Sequence, residues 1–391
     1  MYKNFRFDSK VFSDAKSRTG EIHTPHGIVE TPAFIFCGTK ASVKGISPKQ
    51  LQEAETTIIL SNTYHLFSYP GSEHIKSCGG LHKFMGWDGP LFTDSGGFQI
   101  FSLGHGSVAD EIKGKRTGTS TLAKITEEGA TFKSYWDGSM QLLTPEKSIQ
   151  VQMDLGADLI VAFDECTPFH SDKKYTEASM ERSHRWEKRS IDKFMRENND
   201  KQALYGIVQG GVHEDLRKRS AEFVSANQFF ATAIGGTLGS TKNQMYEVVE
   251  MAMNGLDISR PIHLLGIGEI SDIFKGVALG IDTFDCVHPT RIARHGGALV
   301  KPQYRDHHSR EHINLRRSQY VRDNNPIEED CDCETCRRFS RAYLHYLLKA
   351  KELLVIQAIA THNIRFMNKM MKEIRSAITS GQLNKVREKW C

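Results

Sequence analysis

An α/β fold, a (β/α)8 barrel followed by a smaller C-terminal segment, is predicted by three observations. Short apolar runs recur eight times, helix-like patterns fill most of the gaps between them, and three of the eight cysteines crowd together near the end. The runs are residues 32–36, 57–60, 90–93, 158–163, 203–208, 230–234, 262–267 and 281–285. Between them, residues 47–54, 145–155, 175–195, 214–224 and 243–253 carry helical patterns. Strands alternating with helices predict a parallel sheet, and eight such units favour a closed barrel over an open doubly wound sheet. The division expected is a barrel over residues 1–300 and a helix-rich subdomain over 301–391, packed on the barrel.

Two departures from a plain barrel stand out. Residues 104–122, rich in Gly, Ser, Thr and Lys, read as a long loop inserted after the third run, on the face where a barrel does its chemistry. From 301 onward the cysteine cluster is followed by a long helical pattern whose apolar face includes Leu344, Leu347, Leu348, Leu353, Leu354, Ile356, Ile359 and Ile364.

The 391 residues are 39% hydrophobic and 25% charged, which suits a globular protein able to bury a large core. No stretch approaches the ~18 consecutive apolar residues of a membrane-spanning helix. The start, Met1-Tyr-Lys-Asn-Phe-Arg-Phe7, lacks the apolar centre of a secretory leader, so a cytoplasmic protein is expected. Net charge is +4, but it is unevenly spread. From Arg291 onward there are 20 Lys/Arg against 11 Asp/Glu, whereas the first 290 residues carry 31 against 36. A basic last quarter points to nucleic acid, and a solvated helical face explains the same charge equally well.

In a barrel, the C-terminal ends of the strands converge on one face. Here they read Thr93-Asp94-Ser95-Gly96-Gly97-Phe98-Gln99, Phe163-Asp164-Glu165-Cys166, Val208-Gln209-Gly210-Gly211, Ile234-Gly235-Gly236 and Asp282-Thr283-Phe284-Asp285-Cys286. A single strand-end Asp often only caps the next helix. Three together, beside Gly or Cys, predict a carboxylate-lined pocket whose glycines admit a ligand close to the backbone. Paired carboxylates suit cleavage of a glycosidic bond, one as nucleophile at the anomeric carbon and one moving the leaving-group proton. That chemistry leaves sugar glycosides and nucleosides equally open.

The cluster Cys331-x-Cys333-x2-Cys336, with a histidine from the following helix, supplies three thiolates and one imidazole, a closed tetrahedral set for one structural Zn2+. His345 and His362 both qualify as the fourth ligand. Such a site has no open position and holds structure together without activating water.

With these motifs in order, the chain resembles the tRNA-guanine transglycosylases, of the bacterial type with a chlamydial-like insertion at 104–122. The resemblance rests on Ser61-Asn-Thr-Tyr-His-Leu66, Thr93–Gln99, Leu143-Thr-Pro-Glu-Lys-Ser148, Ala162–Cys166, Gly206-Ile-Val-Gln-Gly-Gly211, Gly280–Arg291 and the cysteine tail. It implies replacement of guanine at anticodon position 34 of GUN-anticodon tRNAs (Asp, Asn, His, Tyr) by queuine or preQ1, through a covalent enzyme–tRNA intermediate. Asp285 would be the nucleophile and Asp94 the general acid/base. Asp164, Gln209 and Gly236 would read the base, Phe98 and Leu265 would sandwich it, and Cys166, Gly235 and Gly239 would complete its pocket. Arg291 and Arg294 would hold neighbouring RNA, His362 would be the fourth zinc ligand, and the enzyme would be a homodimer. Two positions depart from the common bacterial pattern. Gly239 removes a side chain near the expected 7-substituent of the incoming base, which favours tolerance of bulky queuine, and Glu269 stands where many members carry Lys. A barrel glycosidase would use the same carboxylates but has no need of the cysteine cluster or the basic tail. A catalytically dead tRNA-binding subunit would lack the nucleophile, and Asp285 is present.

Overall fold

A computed structural model describes residues 2–11, 16–100, 123–198, 200–306 and 311–391; the 104–122 insertion lies outside the described residues. Three antiparallel strands come first, β1 (Arg6–Val11), β2 (Arg18–Thr24) and β3 (Gly27–Thr31). The barrel follows with β4 (Ala33–Cys37), β5 (Ile59–Ser61) and β6 (Leu91–Thr93). A second antiparallel sheet interrupts it, made of β7 (Ala123–Ile125), β8 (Ala130–Lys133) and β9 (Met140–Leu143). The barrel then resumes with β10 (Leu159–Val161), β11 (Ala203–Val208), β12 (Ala231–Ile234), β13 (Ile262–Leu264) and β14 (Thr283–Cys286). These eight strands pair in parallel and close on themselves, with Thr283 to Cys286 in register with Ala33 to Phe36. Every apolar run expected to be a barrel strand is one, with ends displaced by a few residues at most.

The side chains of these strands divide with the two-residue period of a strand. Phe34, Phe36, Leu91, Ile160, Leu204, Val208 and Ile234 belong to the core shared with the surrounding helices. Their alternates Ile35, Cys37, Phe92, Leu159, Val161, Tyr205, Ile207, Ala231 and Ala233 form a second core inside the barrel. Phe5, Ile22 and Val29, from the N-terminal segment, join that inner core and plug its base. Both faces of each strand are therefore buried, which is why these strands read as continuous apolar runs rather than as alternation.

The expected helices form at Pro48–Glu53, Pro145–Leu155, Lys173–Glu197, Glu214–Ala226 and Lys242–Met253. Ser47, Thr144, Asp172 and Thr241 cap four of them through side-chain oxygens, satisfying backbone N–H groups otherwise left free at a helix start. The C-terminal pattern is two helices rather than one. Arg341–Ala350 ends at Lys351, whose φ of 60° cannot continue a helix, and Leu354–Thr379 starts afresh. At this break Leu353 and Leu354 are exposed, not part of the apolar face. The long helix buries Ala358, Ile359, Phe366, Met367, Met370 and Ile374 in the same core that wraps the barrel. A short antiparallel pair, β15 (Gly297–Leu299) with β16 (His312–Asn314), links barrel and C-terminal segment across residue 301.

Candidate active site and metal centre

The three strand-end aspartates meet at one mouth of the barrel, and none of them is the N-cap residue of the helix that follows its strand. Asp94 follows β6. Its Oδ1 accepts hydrogen bonds from the backbone N–H of Thr63 (3.0 Å) and Gly96 (3.2 Å), and its Oδ2 accepts one from the side-chain amide of Asn62. Asn62 is itself fixed, because its Oδ1 caps the next short helix at His65 N (3.0 Å). Burial pushes the Asp94 carboxyl up to about 7, and the nearby charge of Asp285 adds to the rise against those hydrogen bonds. One edge of Asp94 still reaches solvent.

Asp285 lies within β14. Its Oδ1 accepts from Gly266 N (2.9 Å) and lies 3.2 Å from His263 Nε2, and the thiol of Cys37 donates to its Oδ2 at 3.6 Å. His263 is fully buried inside the barrel, with Nδ1 2.9 Å from Thr283 Oγ1 and its ring edge-on to Phe92. That packing leaves the imidazole little freedom to turn, so it orients one oxygen of Asp285 and leaves the other facing Cys37.

Asp164 follows β10 and forms the floor of the pocket. The hydroxyl of Ser95 donates to Oδ1 (2.9 Å) and the amide of Gln209 to Oδ2 (2.6 Å). Burial pushes its carboxyl up to about 6 despite both donors. Two glycines make this packing possible. A Cβ on Gly97 would stand 2.5 Å from the carbonyl oxygen of Asp164, and one on Gly236 would stand 2.2 Å from Oε1 of Gln209. Gly236 also has φ +74°, which side chains avoid. Cys166 and Gly235 are buried nearby, Leu265 is half-buried with Cδ1 3.1 Å from where a Gly235 Cβ would sit, and Phe98 is exposed at the rim.

Gly239 is explained locally. Its φ is +105°, and the space a Cβ would fill is taken by the side chain of Gln244, whose Oε1 accepts from Ser240 N (3.0 Å). The side chain missing at 239 therefore opens onto Gln244 in this conformation. Glu269 likewise has a partner within the chain, an ion pair with Lys242 (2.5 Å). Arg291 and Arg294 sit on the short helix His288–Arg294 just past Asp285, and neither has a carboxylate partner among the described residues. Burial and the charge of Arg291 lower the Arg294 guanidinium.

Sequence reasoning assigned no role to Arg217. It lies on the helix after β11 and is fully buried without an ion-pair partner among the described residues. Its guanidinium donates to the carbonyls of Gly211 (2.7 Å), Val208 (3.0 Å), Gly235 (2.8 Å) and Thr237 (3.1 Å). One side chain thus ties together the two turns that carry Gln209 and Gly236. Burial lowers it to about 10, so it remains a cation at neutral pH. On a helix flanked by Lys218 and Arg219 nothing in the sequence separates it from a solvated basic face. Asn62 and Ser95 stood inside quoted motifs without roles, while His263 and Cys37 carried no local signal.

In the C-terminal segment, Cys331, Cys333, Cys336 and His362 converge. Their sulfurs lie 3.6, 3.7 and 3.3 Å from His362 Nδ1. Ligands ~2.3 Å (S) and ~2.0–2.1 Å (N) from a tetrahedral ion are ~3.6 Å apart, so the four groups fit one metal ion. The other ring nitrogen, Nε2, lies 2.8 Å from the carbonyl of Leu299, which fixes the tautomer with Nδ1 free to ligate. His345 is elsewhere, with Nδ1 2.8 Å from the carbonyl of Leu315.

A barrel with paired carboxylates at its mouth and a Cys3His cluster able to hold a metal ion fits the class of enzymes acting at a glycosidic carbon. A family model described as Queuine tRNA-ribosyltransferase matches residues 14–391. Among curated relatives, proteins named Queuine tRNA-ribosyltransferase from Roseiflexus sp. (strain RS-1), Caldanaerobacter subterraneus and Protochlamydia amoebophila are 47%, 44% and 43% identical. The alignments cover 96%, 96% and 93% of this chain and 96%, 93% and 92% of theirs. The chain belongs to this family, the tRNA-guanine transglycosylases, which exchange guanine in tRNA in queuosine modification. No helix among the described residues is long and apolar enough to cross a membrane.

Proposed function

We propose that this enzyme replaces guanine at position 34 of GUN-anticodon tRNAs with the 7-deazaguanine base queuine or preQ1, and that Asp285 is its nucleophile. The carboxylate of Asp285 attacks C1′ of the nucleotide as the bond from C1′ to guanine N9 breaks, leaving a covalent ester. Asp94 protonates the departing guanine. It then takes the N9 proton of the incoming base as that nitrogen attacks C1′ and releases Asp285. One observation carries this reading: Asp285 is oriented by Gly266 N–H and His263 but has no countercation among the described residues, and it lies near enough to Asp94 to help hold that carboxyl near neutrality.

In this reading the ionised Asp164 accepts from the N1–H and exocyclic amine of guanine. Gln209 and the backbone at Gly236 meet the exocyclic oxygen, with Gly235 and Cys166 beside them and Gly239 toward the 7-substituent of the incoming base. Phe98 and Leu265 stack on the flipped base. Arg291 and Arg294, which pair with no carboxylate among the described residues, contact neighbouring RNA, and the basic C-terminal segment grips the anticodon stem. The metal at Cys331, Cys333, Cys336 and His362 is a structural Zn2+, one per chain, which fastens residues 301–391 to a catalytic barrel formed by residues 1–300. The enzyme works in the cytoplasm as a homodimer, and the exposed Tyr343, Tyr346, Leu353 and Leu354 supply apolar surface for a second copy.

Exchange of labelled guanine into unmodified tRNA tests the nucleophile. Asp285→Ala is expected to lose at least ~10³-fold in rate, as removal of other enzymatic nucleophiles does, and to trap no tRNA adduct on a denaturing gel. Equal exchange in both proteins would sink the assignment.

A further inference from the structure

The two oxygens of Asp285 keep different company. Oδ1 accepts from Gly266 N (2.9 Å) and lies 3.2 Å from Nε2 of His263. Among the described residues Oδ2 is met only by the thiol of Cys37, at 3.6 Å. A thiol is a weak donor. Burial, with the charge of Asp285 next, pushes the Cys37 thiol up, so it stays protonated.

The pairing of β13 with β14 places the imidazole. His263 stands in register with Thr283, and Thr283 and Asp285 are two residues apart on one face of β14. The fully buried ring therefore lies between a hydroxyl and a carboxylate, with Nδ1 2.9 Å from Thr283 Oγ1. A carboxylate oxygen only accepts, so Nε2 carries hydrogen, and the Thr283 hydroxyl can donate to a bare Nδ1. We propose that His263 is a positioning residue: held by Thr283 as the Nε2–H tautomer, it keeps Oδ1 of Asp285 out of the new bond, so that Oδ2 attacks C1′. This rests on Asp285 being the nucleophile.

As the C1′–Oδ2 bond forms, the C1′–N9 bond breaks, its electron pair leaves with guanine N9, and Asp94 gives that nitrogen its proton. Oδ1 becomes the carbonyl oxygen of the ester, still facing Gly266 N–H and His263 Nε2–H. When N9 of the incoming base attacks C1′ and yields its proton to Asp94, the C1′–Oδ2 electron pair returns to the carboxylate. A hydrogen bond to an ionised acceptor is roughly twice as strong as one to a neutral acceptor. The His263 donor therefore favours the free carboxylate over the ester, and it speeds the second step more than the first.

The competing description makes His263 a filler of the inner core beside Phe92, on which its ring packs edge-on. Single-turnover exchange decides between them, with adduct formation on tRNA and adduct release by labelled guanine timed separately. His263→Leu, which has no donor, is expected to slow release ~10-fold and formation less than ~3-fold, so that adduct accumulates on a denaturing gel. His263→Gln, whose amide can donate to Oδ1, should recover most of the release rate. Thr283→Val leaves the imidazole in place but removes the hydroxyl that fixes its tautomer, and should slow release in the same direction with the fold intact. Equal slowing of both steps in His263→Leu, no recovery in His263→Gln, or native release by Thr283→Val would overturn the proposal. A native protein that forms no adduct would remove the nucleophile itself, a separate failure visible before any variant is made.

Discussion

At the base of the barrel the carboxylate of Asp282 is met by the guanidinium of Arg18 (2.9 Å from Nε to Oδ1, 2.5 Å from Nη2 to Oδ2) and by the backbone N–H of Ile262 (2.7 Å). Arg18 is bound in turn by the carbonyls of Ile258 and Arg260. At the mouth, Asp164 and Asp285 are buried and Asp94 is largely so, yet their partners are backbone N–H groups, amides, a hydroxyl, a thiol and one histidine. Asp282 at the base is given a permanent cation, whereas Asp94, Asp164 and Asp285 at the mouth pair with no lysine or arginine among the described residues. The base pair adds to stability only while both partners are present. At the mouth, burial raises the proton affinity of Asp94 and Asp164 into the working range, and a cation-like transition state is the partner these carboxylates lack.

The largest effect expected from breaking this contrast is at Asp94. Asp94→Asn keeps an acceptor for Thr63 N and Gly96 N but cannot move a proton, and exchange should fall by ~10²–10⁴-fold. In the native enzyme, reaction of the isolated covalent adduct with an incoming base needs the ionised carboxylate. Its rate should therefore rise with pH through about 7, and that limb should vanish in Asp94→Asn. The sign for stability is the reverse. A carboxyl raised from its ordinary value disfavours ionisation in the fold, so its contribution to stability is lost as pH rises from about 4 to about 7. A pH-independent exchange step in the native protein would count against Asp94 as the proton carrier.

The base answers to a different measurement. Arg18→Met strands the buried Asp282 charge and should cost ~3–5 kcal/mol in urea unfolding, with the turnover of the folded fraction close to native. Adding Asp282→Asn should restore a large part of that loss. If Arg18→Met lowered turnover without lowering stability, the division between a structural base and a chemical mouth would fail.

The contrast also marks what could be read from the sequence. The eight barrel strands were legible because burial on both faces makes them apolar throughout, and the aspartates because each ends such a run. The N-terminal sheet was not, since β1 is exposed along nearly its whole length and carries no apolar pattern. The β7–β9 sheet escaped for the same reason, with Met140 and Leu142 turned outward beside the insertion. The break at Lys351 was hidden because Leu353 and Leu354 continue the apolar pattern across it. Within the site, the strand-end carboxylates were visible, but the groups that hold them were largely not. A buried Arg217, a core His263 and a capping Asn62 act through contacts between residues far apart in sequence, which local pattern does not encode.

Arg217 sharpens the comparison from the mouth's own side, because it is a buried cation spent on carbonyls rather than on a carboxylate. Arg217→Lys has fewer donors and a shorter reach, so the turns carrying Gln209 and Gly236 should loosen. The expected result is a ~10-fold higher KM for the free base, near the low end of the ~1.5–3 kcal/mol attached to hydrogen bonds to charged groups, with release of guanine from tRNA much less affected. Equal losses in both steps would place Arg217 in the general scaffold instead.

The smallest effect is the most specific to the pocket. In the proposed reading Asp164 accepts two N–H groups from guanine and must be ionised to do so, and burial holds it at about 6. Lowering the pH through 6 should therefore raise the KM for free base while leaving attack on tRNA by Asp285 governed by its own surroundings. Removing the Ser95 donor with Ser95→Ala takes away a hydrogen bond that stabilises the charged form. The KM rise should then begin at higher pH. Because Gln209 still donates to the other oxygen, the displacement should be less than one pH unit. If the KM profile of Ser95→Ala overlays that of the native enzyme, Asp164 is not the group that reads the base in its ionised form.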